Sequence, residues 1–157
     1  MKSKLFGVSI LFTAVLFAFT LNSYGMIKTL PVSDLISKAE YIVIAEAYQI
    51  TKTGNTTNGK GTILRNELKV IESLKGTILP DESIVINTFK AEHWIEDNVE
   101  LPLPGSRVFL FLEKNEKGEF SPVNGIQGVW PMKGDKLLGM GTRYKLDDIK
   151  KIIQQTK

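Results

Sequence analysis

The chain has 157 residues, a net charge of +3, one histidine and no cysteine. Without cysteine it has no disulfide, no thiol nucleophile, no lipid-modified cysteine and no cysteine-liganded metal. Its length fits one domain with one core of ordinary size.

The first 25 residues read as a secretory signal peptide. Lys2 and Lys4 supply the positive start, Leu5 to Leu21 is uncharged, and Ser23 and Gly25 put small residues at −3 and −1 of a cut before Met26. The apolar run exceeds the roughly 7–15 residues usual for a signal core, which leaves an uncleaved anchor as the alternative. No second stretch of spanning length follows. Residues 26–157 then form a single domain that keeps 18 Lys+Arg against 17 Asp+Glu, once Lys2 and Lys4 are removed. These charges are interspersed, so there is no basic stripe for nucleic acid or acidic lipid. The expected location is periplasmic or extracellular, with no membrane contact after cleavage.

Along the mature part, Ser33 is the expected N-cap of a short helix whose buried stripe is Leu35, Ile36 and Ala39. From Tyr41 a strand begins that is apolar on both faces. Ile42 and Ile44 share one side with Tyr48 and Ile50, and Val43, Ala45 and Ala47 share the other. Residues 52–61 are polar and turn-rich, as expected of an exposed hairpin loop. The next strand, 62–74, points Leu64, Leu68 and Val70 inward and Arg65, Glu67 and Lys69 outward. A strand at 83–89 precedes a long excursion, 90–106, with two prolines and the acids Glu92, Glu96, Asp97 and Glu100. Residues 107–113 are the most apolar strand. Asn115 to Gly118 is the expected turn into 119–123, 125–132 and 136–140 the final hairpin, and 144–155 a closing helix that buries Leu146, Ile149, Ile152 and Ile153. The expected fold is mainly β (α+β): a small antiparallel OB-like β-barrel of 5–7 strands flanked by an N-terminal and a C-terminal helix.

The run AEYIVIAEA (39–47), then LKVIESLKG with its Lys75-Gly76 pair, ESIVINTF (82–89) and LPGSRVFLFLE with Gly105, over residues 39–113, resembles the tissue-inhibitor-of-metalloproteinases and netrin-like modules. The resemblance implies an OB-fold barrel. It does not imply metalloproteinase inhibition, because that mechanism places an N-terminal cysteine on the target's zinc and this chain has Met26 or Ile27 there.

Chemistry-bearing residues are few. His93 is the only histidine, and Glu92, Glu96 and Asp97 stand beside it. The set has the donor types of a metal site, but its spacing matches no established motif, and a solvated acidic loop is the preferred account of it. No serine sits in a G-x-S-x-G elbow. Gly139 and Gly141 read as turn glycines, and Asn55-Thr56-Thr57 fits a glycosylation pattern at a hairpin tip. Trp94 either anchors a partner, combining large apolar area with one N–H donor, or folds back to plug the barrel end. Trp130, Phe109, Phe111 and Phe120 are read as core.

The reading these residues support is an exported, non-enzymatic binding module without a cofactor. Its contact surface includes the 90–104 loop, with His93, Trp94 and Glu96 as binding residues. Its expected partner is a protein or glycan of the cell envelope. The alternatives are a small envelope hydrolase or metal-dependent enzyme centred on His93, and a structural envelope component.

Overall fold

The computed structural model describes residues 28–56, 61–91 and 99–156. The expected signal segment, 1–25, lies outside them. Helix α1 (Val32–Lys38) leads into β1 (Tyr41–Asn55), β2 (Gly61–Lys75), β3 (Ser83–Ala91), β4 (Arg107–Lys114) and β5 (Phe120–Pro122). A 3-10 turn (Gly125–Gly128), β6 (Val129–Lys133), β7 (Lys136–Leu137), a second 3-10 turn (Gly139–Gly141) and helix α2 (Leu146–Gln155) complete the chain.

The strands lie in the order β1-β2-β3-β5-β4, and β1 pairs again with β4, so five strands close a barrel of the OB-like kind expected. Every pairing is antiparallel except β3–β5, a single parallel bridge between Ile86 and Phe120. β6 adds to the outside of β4, with Trp130 opposite Phe109, and β7 adds to β6.

The double-faced strands organise two cores. Val43, Ala45 and Ala47 of β1 join Leu68, Val70, Ile84, Ile86, Val108, Leu110 and Leu112 inside the barrel. Ile42 and Ile44, with Phe109 and Phe111 of β4, face the other way and meet both helices and Trp130. All four of those outward side chains are at most 1% exposed. Burying each is worth about 1.5–3 kcal/mol, so the helices are held by the barrel's outer wall rather than by their own propensity.

Several boundaries differ from expectation for identifiable reasons. Helix α1 starts at Val32 because the Pro31 carbonyl already accepts the N–H groups of Asp34 and Leu35 at 3.0 and 3.1 Å. Ser33 is therefore inside the first turn, where its hydroxyl donates to Asp34, and is not the cap. The β1–β2 hairpin is longer than the polar composition of 52–61 implies, since Lys52 to Asn55 stay paired to Leu64 through Thr62. A bulge at Tyr48 also reverses the sidedness of β1: Ala47 stands opposite Leu68 and Gln49 opposite Glu67. Ile50 thereby faces Asn66 on the barrel side instead of continuing the Ile42–Ile44 face. Residues 125–128 form a 3-10 turn where a strand was expected, and 139–141 another. α2 starts at Leu146, two residues late, because Lys145 is extended (φ −90°, ψ 143°) and its carbonyl accepts the N–H of Ile149 at 3.1 Å. Phe120 is only partly buried, edge-on to Tyr41.

Candidate functional site

His93, Trp94 and Glu96, together with Glu92 and Asp97, lie outside the described residues. The structure fixes the two ends of the loop that carries them. Ala91 stands opposite Gly61 at the end of β3, where a Cβ on Gly61 would come within 2.9 Å of the Lys90 carbonyl. On the return side, Val99 and Leu101 pack against the barrel interior. Gly105 N–H then donates to the Ala47 carbonyl at 2.7 Å, and Ala47 N–H to the Ser106 carbonyl at 3.0 Å. Between these anchors Leu103 is 76% exposed, the most exposed large apolar side chain described.

Beside this loop, β1, β2 and β3 continue past the β1–β4 pairing as a three-stranded arm. Its outer face holds a small polar network. Glu67 accepts hydrogen bonds from the Tyr48 hydroxyl at 2.8 Å and from Arg65 Nε at 3.0 Å. The Tyr48 hydroxyl first, and Arg65 after it, hold the Glu67 carboxyl below its ordinary value. Further along the arm Phe89 stands opposite Ile63 and is 41% exposed. On the barrel side, Asn66 is buried and donates through Nδ2 to the Ile86 carbonyl at 2.8 Å and to Thr88 Oγ1 at 3.0 Å. Sequence reading missed Asn66; its only signal was a polar residue at an inward position between Leu64 and Leu68.

A second concavity lies on the helix-covered side. Here Trp130 is fully buried, as expected, and its indole N–H donates to the Gln127 carbonyl at 2.8 Å. Tyr144 stacks on the indole at 5.6 Å and 7°. The 139–141 turn approaches so closely that a Cβ on Gly141 would lie 2.7 Å from the Trp130 ring. Gln127, 5% exposed, clamps the N-terminal segment: Nε2 donates to the Leu30 carbonyl at 2.6 Å, and Oε1 accepts Leu30 N–H at 2.9 Å. Asn124 Nδ2 donates to Gln127 Oε1 and to the Lys28 carbonyl. Between the clamped segment and residues 140–144 a cleft of about 210 Å³ remains.

Among the described residues no three of His, Cys, Asp and Glu are grouped so as to hold a metal ion. No protein-family model matches the chain, and no curated protein matches it.

Proposed function

We propose that this protein is an exported, non-enzymatic binding module whose contact surface includes the 90–104 loop. The order of charge, apolar run and small residues in 1–25 supports export and cleavage before Met26. One observation carries the binding reading: Leu103 stands 76% exposed on a loop whose return is tied to Ala47 and whose Leu101 is packed into the barrel. An apolar side chain held between two anchored residues loses little conformational freedom when it is covered. His93, Trp94 and Glu96 belong to the same loop, and the partner is a protein or glycan of the cell envelope.

Affinity capture from native envelope extract, with a C-terminal tag, tests this. Trp94→Ala is expected to weaken capture by about 2 kcal/mol or more, as a buried interface anchor does, and His93→Ala to matter much less. Capture unchanged by Trp94→Ala and by Leu103→Asp would refute the loop as the contact surface. Stoichiometric metal in the purified protein, with an activity abolished by His93→Ala, would establish the enzyme alternative.

A further inference from the structure

We propose that the cleft between the Gln127-clamped N-terminal segment and residues 140–144 binds a small planar carboxylate. The ligand's ring lies along the Tyr144 side, and its carboxylate sits on Arg143. This inference is independent of the loop reading, because the site is built wholly from other residues.

Size and stiffness come first. A cavity of about 150 Å³ is enough to hold benzene, and this cleft measures about 210 Å³. Its walls are already ordered. The indole is fixed by its bond to the Gln127 carbonyl and by Tyr144 stacked on it, and the opposite wall is fixed by both ends of the Gln127 amide on Leu30. A ligand therefore enters a preformed site and has little protein to reorganise.

The chemistry of the lining selects the class. Leu30, Pro31, Leu35 and Met140 give the interior an apolar character that a free phosphate would leave uncovered. The polar groups of Gln127 are used within the fold. By contrast, Thr29, Arg143 and Tyr144 line the cleft, and their side chains make no hydrogen bond or ion pair among the described residues. Among the described residues Arg143 is the one charged residue in the lining, and none of them opposes it there with an acid. A guanidinium presents a planar fork that matches a carboxylate. Across Tyr144, a neighbouring cleft is lined by Asp135 and Asp147 as well as Lys136 and Lys145. That mixture provides no comparable preference, so Tyr144 divides an anion-selective cleft from an unselective one.

Phenylacetate is the probe, titrated into the exported protein while the Trp130 indole N–H is followed by NMR, with Trp94→Phe fixing the assignment. The expected result is a saturable shift that weakens with added salt. Affinity should fall about five-fold in Arg143→Gln, the size of an exposed ion pair, and by a similar factor for neutral phenylacetamide. Arg143 is exposed, so the variant is expected to fold, and its melting curve checks this. No saturable shift, equal affinity in Arg143→Gln, or binding of benzylamine as tight as that of phenylacetate would each overturn the proposal.

Discussion

Replacing Gln127 with alanine isolates the contact that joins the start of the domain to the 3-10 turn before β6. Besides the bond taken from Asn124 Nδ2, which keeps the Lys28 carbonyl as a partner, the substitution removes one bond given to the Leu30 carbonyl and one taken from Leu30 N–H, at 2.6 and 2.9 Å. Each is worth about 1 kcal/mol net, and leaving partly buried main-chain groups without partners adds about 1 kcal/mol more. The expected loss is therefore about 3 kcal/mol. For a domain of this size each kcal/mol moves Tm by about 3–5 °C, so the fall should be about 10 °C. Urea unfolding should show the same loss with an unchanged slope. If the segment detaches without global unfolding, the loss will instead appear as fast hydrogen exchange at the Leu30 amide. A Tm within about 2 °C of the parent, together with unchanged Leu30 protection, would refute the clamp.

Leu110→Asp should prevent folding, because Leu110 is fully buried within the barrel and an unpaired carboxylate there has no partner; soluble, cooperatively melting protein would show the inward assignment of β4 to be wrong. Glu67 titrates below its ordinary 4.5 in the fold, so its stabilising effect is present above that value and is lost as pH falls through the lowered one. The Tm difference between the parent and Glu67→Gln should accordingly be seen at neutral pH and shrink on acidification, and a difference that grows with acid would reverse the sign. N-terminal sequencing of exported material should begin at Met26 or within a residue or two of it, whereas Lys2 retained in the membrane fraction would mean an anchor.

What the sequence made legible was whatever depends on neighbours in the chain. Tyr41 to Ala47 and Arg107 to Glu113 lack the alternation of a half-solvated strand, and such a strand must be covered on both sides. Two faces of cover imply a closed barrel on one side and helices on the other, which is how β1 and β4 are used. The Arg65, Glu67 and Lys69 face was readable for the same reason. The bulge at Tyr48 was not, because Tyr48 fits the period-2 pattern on either side, and only the register against Leu68 and Glu67 shows the extra residue. The 3-10 turn at 125–128 was hidden likewise: Ile126 and Gln127 fit a strand pattern, while Asn124 in the left-handed region is a property of the backbone.

The cleft was illegible for a deeper reason. Its clamp joins Leu30 to Gln127, residues 97 positions apart, and neither has a motif around it. Gln127 read locally is a polar residue in an apolar hairpin, where burial would be costly without partners. Its partners are the main-chain groups of a segment that carries no side-chain signal of the pairing. The clamp grips Lys28 and Leu30, just after the cut proposed before Met26. A segment fixed in this way gives Arg143 and Tyr144 a permanent opposite wall. It follows that any change loosening Gln127 should weaken a ligand in the cleft even though Arg143 and Tyr144 are left as they were, whereas changes at Leu103 or Trp94 should leave that ligand's affinity as it was.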